Sequence, residues 1–65
     1  MADSATNDIL AQALYSEAQR MMNLADRKKV GYADLEKEIL KAWAAKNCAD
    51  LKFFINELQK RLTNF

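Results

Sequence analysis

The sixteen residues 10–25, LAQALYSEAQRMMNLA, decide the fold class, because apolar residues recur through them at helical spacing. A first heptad-spaced stripe consists of Leu10, Leu14, Met21 and Leu24. A second stripe steps by four and three residues without interruption through Ala11, Tyr15, Ala18, Met22 and Ala25. At about 100° per residue, the two stripes lie side by side on one helix and cover about half of its circumference. Because a helix packed only within its own small domain normally needs one such face, the doubled pattern predicts contact with a partner helix.

The two stripes are expected to have different roles. The first stripe is expected to face the chain's own core, although Glu17 stands where an apolar residue would continue it. The alanines of the second stripe would let another backbone approach closely, while Tyr15 and Met22 supply adaptable bulk. Leu40 and Phe53 are further apolar residues outside the main stripes of their helices. The predicted partner interface therefore consists of Ala11, Tyr15, Ala18, Met22, Ala25, Leu40 and Phe53. The alternative is that a compact core absorbs all of them.

Chain length and composition limit how such a protein is stabilised. Its 65 residues are expected to form one helical domain, residues 1–65, of a size that is marginally stable alone. Cys48 is the only cysteine and histidine is absent, so neither an intrachain disulfide nor a conventional zinc site is available. Association is the remaining usual way for so small a chain to gain stability. The sequence therefore favours a homodimer formed through the first helix.

Helix boundaries are indicated by capping signals. Gly31, the only glycine, follows Arg27-Lys28-Lys29 and is expected to adopt the left-handed conformation that ends a helix. Asn47 stands three residues before Asp50 and is a good N-cap. These signals predict an all-α bundle of three helices at residues 7–29, 32–46 and 48–63. The alternative is an unbroken second helix, which would give a two-helix antiparallel hairpin.

Side chains for catalysis or cofactor binding do not form a recognisable pattern. Without histidine there is no conventional catalytic triad, and Cys48 has no imidazole to activate it. A single glycine cannot build a glycine-rich phosphate loop. The sequence therefore predicts a protein that is not an enzyme, with no catalytic residue, no cofactor and no metal ligand.

Basic residues cluster near the end of the first helix, although the net charge is only +1. Arg20, Arg27, Lys28 and Lys29 are expected to form a basic rim that orients a partner. They also support an alternative function, that of a small nucleic-acid-associated transcriptional regulator. Against this alternative, the low net charge gives little attraction for phosphates. The early part of the third helix, where groove-reading residues should be polar, contains Phe53.

The expected location is the cytoplasm, without membrane contact. No apolar run approaches the roughly 18 residues of a membrane span, and residues 1–4 lack the basic start of a signal peptide. A lone free cysteine suits a reducing compartment. We therefore expect a small non-enzymatic protein–protein interaction module that acts as an adaptor, inhibitor or regulator through an apolar helix face.

Overall fold

The computed structural model describes residues 3–64, with side chains described from residue 6 onward. Over this part of the chain there are three α-helices: α1 spans Asp3–Lys28, α2 spans Ala33–Ala44 and α3 spans Cys48–Asn64. The prediction of an all-α three-helix bundle is confirmed, and the two-helix hairpin does not form because the chain leaves helical geometry at residues 45–47. The largest difference from the predicted bounds is at the start of α1, which begins at Asp3 rather than at residue 7. None of the three helices is long and apolar enough to cross a membrane.

The C-terminal ends of α1 and α2 are built in the same way, with a lysine in the position that glycine usually takes. Lys29 (φ 59°) and Lys46 (φ 55°) both adopt the left-handed conformation. At the end of α1 the N–H groups of Lys29 and Val30 donate to carbonyl oxygens of the last turn, at 3.2 and 2.9 Å. The corresponding pair of bonds closes α2 at 3.1 and 2.9 Å, so both ends are Schellman motifs. The prediction for Gly31 is wrong, because its φ is not positive and the left-handed residue lies two positions earlier.

The start of α3 is capped as the sequence indicated, whereas the start of α2 is not capped by a side chain. The Oδ1 atom of Asn47 accepts a hydrogen bond from the N–H of Asp50 at 3.1 Å, and its Nδ2 donates to the Asp50 carboxylate at 2.9 Å. The first of these bonds satisfies one of the unpaired backbone donors of the first turn, and the second holds the Asn47 side chain in place. In α2 the N-cap residue is Tyr32, and the acidic side chain of Asp34 lies in the first turn.

Two contacts between the helix ends define the topology. The Cys48 thiol at the start of α3 lies 3.6 Å from the carbonyl oxygen of Asn7, near the start of α1. At the other end of α3, Arg61 donates to the carbonyl oxygen of Gly31, just after α1, at 3.0 Å. α3 therefore runs parallel to α1 and packs directly against it, and α2 runs in the opposite direction to both. The bundle is elongated, with extents of 42 × 16 × 15 Å, because α1 is about 39 Å long.

The core is asymmetric, since α1 contributes small side chains and the other helices contribute large ones. From α2 and α3 the buried residues are Leu35, Ile39, Ala42, Leu51, Ile55, Leu58 and Leu62. From α1 they are Ala11, Ala18, Met22 and Ala25. Fully burying a large aliphatic side chain contributes about 1.5–3 kcal/mol, so most of the hydrophobic stabilisation comes from α2 and α3. The alanines let these two helices lie close against α1.

Candidate protein-binding surface

The structure reverses the roles expected for the two stripes of α1. Ala11, Ala18 and Ala25 of the second stripe are completely buried, and Met22 is nearly so. Leu10 and Leu24 of the first stripe are 42% and 40% exposed. The prediction that the second stripe faces outward to a partner, while the first faces the core, is wrong.

The physical reason for the reversal is Glu17. This residue belongs to the first stripe, and burying an ionised carboxylate without a partner is costly. The second stripe has no charged member, so it can be covered completely by the large residues of α2 and α3. Glu17 is correspondingly exposed in the bundle.

The consequence is an apolar surface along α1 that the chain itself leaves partly uncovered. We call it the outer face and define it as the first stripe together with Ile9, Ala13 and Glu17. Ile9 is 70% exposed, and Ala13 is also exposed. Leu14 and Met21 are half-buried along the edge of the core. Ile9 and Ala13 were not predicted as site residues, although both lie on the same side of an ideal helix as Leu24.

The outer face continues into an open cleft between α1 and α3. This cleft has a volume of ≈ 470 Å³ and is lined by Leu14, Ala49, Lys52, Phe53, Ile55, Asn56 and Gln59. Leu14 forms the α1 side of the cleft, while Lys52, Asn56 and Gln59 make its α3 side polar. The apolar surface is therefore bordered by hydrophilic side chains on α3, as is usual for the rim of a protein interface.

Tyr15, the remaining member of the second stripe, is used inside the bundle. Its ring stacks on that of Trp43 in α2, with 4.7 Å between the ring centroids and an interplanar angle of 8°. The Lys46 ammonium lies 3.7 Å from the centroid of the Trp43 ring. The resulting stack joins α1 to α2, so Tyr15 and Trp43 are only half-buried yet already partnered.

Leu40 and Phe53 are exposed, as expected, at 44% and 57%. Leu40 lies on the side of α2 opposite the buried residues Leu35 and Ile39, among Lys37 and Lys41. Phe53 makes an edge-to-face contact with Phe54, with 5.1 Å between the ring centroids. Leu40 is a single apolar side chain on a polar helix surface, whereas Phe53 lines the cleft between α1 and α3, and the participation of both in an interface stays a prediction.

The predicted basic rim is exposed along α1 and just beyond it. Arg20, Arg27, Lys28 and Lys29 all lie on the surface. On an ideal helix Arg27 projects in the same direction as Ile9, at the edge of the outer face away from α3, and Arg20 projects between Ile9 and Ala13, within the outer face. The outer face thus has one acidic residue, Glu17, near its middle and basic residues towards its C-terminal half.

The strongest ion pair lies away from the outer face, between α2 and α3. Arg61 forms a bidentate pair with Asp34, with N···O distances of 2.9 and 2.6 Å. The hydrogen bond from the Arg61 guanidinium lowers the pKa of the Asp34 carboxyl to about 2. Glu57 pairs with Lys60 at 3.4 Å, so Arg61 is available for the contact with Asp34. A separate hydrogen bond from Tyr32 to Asp26, 2.9 Å long, raises the pKa of the Tyr32 hydroxyl.

Metal-binding clusters and buried polar side chains are both absent from the part of the chain whose side chains are described. Within residues 6–64, no three histidine, cysteine, aspartate or glutamate side chains lie together where they could hold a metal ion. No polar or charged side chain in the same range is buried. Cys48 is a free, half-buried thiol at the start of α3.

Comparisons with protein-family models, with curated proteins and with solved structures gave no match. The protein is a small three-helix bundle with partly exposed apolar residues along its longest helix.

Proposed function

We propose that this protein is a small, non-enzymatic interaction module that binds a partner helix through the outer face of α1. In this role it acts as an adaptor, inhibitor or regulator. The observation that carries the proposal is the exposure of Ile9, Leu10 and Leu24 on one side of a single long helix. Single exposed apolar residues are normal on protein surfaces, whereas larger apolar patches mark binding sites, and here the half-buried Leu14 and Met21 lie along the helix between the exposed residues.

The shape of the surface favours a helical partner. The exposed positions recur along α1 with the spacing of a helix-packing ridge, and Ala13 lies between Leu10 and Leu24 as a shallow depression. A partner helix could place a large side chain over Ala13 while covering the aliphatic side chains on either side. The half-buried Leu14 and Met21 would then become completely covered.

The compartment proposed for this interaction is the cytoplasm. Cys48 is a free thiol in the folded chain. Free thiols persist in reducing compartments and tend to be oxidised elsewhere. This part of the proposal is tested by the location of the tagged protein in its source cells.

A site-specific photocrosslink tests the binding function. Benzoylphenylalanine is placed at Leu24 on the outer face or, as the control, at Gln12, which is exposed on the polar side of α1. After irradiation of cells that produce the protein, crosslinked products are identified by mass spectrometry. We expect products from position 24 and none from position 12. The position 24 product should disappear when Ala13→Glu is added, and should persist with Gln12→Glu.

The outcome that contradicts the proposal is equally definite. If neither position gives a product, or if both positions give the same products, the outer face is not a specific binding surface. A product with any identified protein, including a second copy of the chain, supports the proposed function.

Nucleic-acid binding is the second candidate function, and one observation favours it. Arg20, Arg27, Lys28 and Lys29 are all exposed near one end of α1. The carboxylate of Asp26 lies in the same region and reduces the positive potential there. Binding to a generic DNA duplex across a salt series tests this function. Contacts with several phosphates require affinity to fall steeply as salt increases, and absence of binding at low salt removes the candidate.

A further inference from the structure

We infer that the partner helix is α1 of a second copy of this chain, packed antiparallel on the outer face. This inference rests on the proposed function and identifies the partner. A two-fold symmetric contact uses the same surface patch on both subunits, so the patch must be complementary to itself. The charges and shapes along the outer face meet this condition in one orientation.

The charge order along α1 favours the antiparallel orientation. Glu17 lies near the middle of the outer face, and Arg20, Arg27 and Lys28 all lie towards its C-terminal end. In a parallel pair, Glu17 would lie opposite Glu17 of the second copy and the basic residues would lie opposite each other. In an antiparallel pair whose two-fold axis passes between residues 18 and 19, Glu17 lies beside Arg20 of the second copy. This contact occurs twice, so the carboxylate that interrupts the first stripe gains an opposite charge in each subunit.

The steric pattern agrees with the same register. With the axis between residues 18 and 19, Leu24 of one copy lies against Ala13 of the other. The small side chain of Ala13 leaves space there for the larger leucine, as in knobs-into-holes packing. Leu14 lies one residue away from the same leucine and would be covered with it. The contact again occurs twice and covers Leu24 at the end of each outer face, while Ile9 and Leu10 lie opposite Lys28 and Arg27 of the second copy.

The size of the surface sets the strength of this dimer. The outer face, from Ile9 to Leu24, is about 24 Å long and one helix wide. It is therefore at or below the lower limit of standard protein interfaces. We expect a reversible dimer with a dissociation constant on the order of 10⁻⁴ M, because binding must also offset the loss of translational and rotational freedom.

Two charge-reversal variants test both the partner and the orientation. Glu17→Arg makes residues 17 and 20 both basic, and Arg20→Glu makes both acidic. Each variant alone should dimerise about tenfold or more weakly than the wild type, because both symmetric contacts become repulsive. An equimolar mixture of the two variants should form a heterodimer, because both contacts are then attractive. Gln12→Arg, on the polar side of α1, is the control and should leave dimerisation unchanged. Sedimentation equilibrium up to about 1 mM protein measures all five samples, and circular dichroism checks that each variant is folded.

Each outcome has a defined meaning. Recovery of association in the mixture, together with weak association of each variant alone, supports the antiparallel dimer. A wild-type protein that stays monomeric at about 1 mM overturns the inference. A dimer that neither variant weakens, or that the mixture fails to restore, overturns it as well. If the wild type is monomeric but position 24 crosslinks to a different protein, the dimer is excluded and the proposed function is still supported. The failure of the dimer can therefore be distinguished from the failure of the proposed function.

Discussion

Replacing Ala18 by glutamine should destabilise the bundle far more than the same replacement at Ala13. Both residues are alanines inside α1, but Ala18 is completely buried whereas Ala13 is exposed on the outer face. The pair therefore tests which side of α1 faces the core. Because the starting residue, the new residue and the helix are the same, the helix-propensity contributions cancel.

The expected magnitudes follow from the burial of each site. At Ala18 a glutamine overfills a packed core, which costs about 1–3 kcal/mol, and buries an amide without a partner, which costs about 1–3 kcal/mol more. The free energy of unfolding should thus fall by about 2–6 kcal/mol. At Ala13 the new side chain extends into solvent, and the change should stay within about 0.5 kcal/mol. A 65-residue domain has about 3–10 kcal/mol of stability in total, so Ala18→Gln removes a large part of it.

Urea and thermal unfolding followed by circular dichroism measure both changes. In a domain of this size, 1 kcal/mol corresponds to about 4–8 °C in Tm, so Ala18→Gln should lower Tm by at least about 8 °C. The measurements are made at low micromolar protein concentration, so that association through the outer face does not contribute. If the two variants differ by less than about 1 kcal/mol, the assignment of the second stripe to the core is wrong.

Three further changes test the helix ends and the ion pair. Gly31→Ala should raise the free energy of unfolding by about 0.4–1 kcal/mol, because Gly31 has no positive φ and an added Cβ meets open space; a loss of stability in equilibrium unfolding would contradict this. Asn47→Ala should lower it by about 1 kcal/mol through loss of the N-cap of α3, measured in the same way. Asp34 has a pKa of about 2 in the folded chain, below its ordinary 3.8, so its contribution is present above pH 4 and is lost as the pH falls towards 2. Arg61→Gln should make stability less dependent on pH in that window, and an unchanged pH profile between pH 2 and 5 would count against the ion pair.

Local signals were sufficient to predict the helices. The N-cap signal of Asn47 and Asp50 predicted the break before α3, because capping acts within one turn of the chain. The end of α1 was predicted within one residue, but the residue expected to end the helix was the wrong one. Lys29, not Gly31, adopts the left-handed conformation, and a lysine gives no sequence signal for that position.

Contacts between helices could not be predicted from spacing alone. The i,i+4 spacing of Glu57 and Arg61 suggests an intrahelical pair, but Arg61 instead pairs with Asp34, 27 residues away. The choice depends on how α3 lies against α2, which local sequence does not determine. The stack of Tyr15 on Trp43 could not be predicted for the same reason, since it depends on α2 lying beside α1.

The orientation of α1 could have been predicted from the sequence, but the larger residues of the first stripe pointed to the wrong face as the buried one. Large apolar residues are usually buried, which favours the first stripe as the core. The charge of Glu17 opposes that assignment, and the uninterrupted second stripe satisfies the core without burying a carboxylate. The second stripe, which no charged residue interrupts, is thus better evidence for the buried face than the first stripe, whose larger residues are interrupted by Glu17.

This arrangement separates the residues that fold the bundle from those proposed to bind a partner. Glu17 and Ala18 are neighbours in sequence, yet one is exposed on the outer face and the other is completely buried. Substitutions at position 18 should therefore change the stability of the monomer, and substitutions at position 17 should change association with little effect on folding. The alanines of α1 contribute little hydrophobic area to the core, and the larger Leu10 and Leu24 lie outside it. A partner that covers them would supply the burial that α1 lacks in the isolated chain.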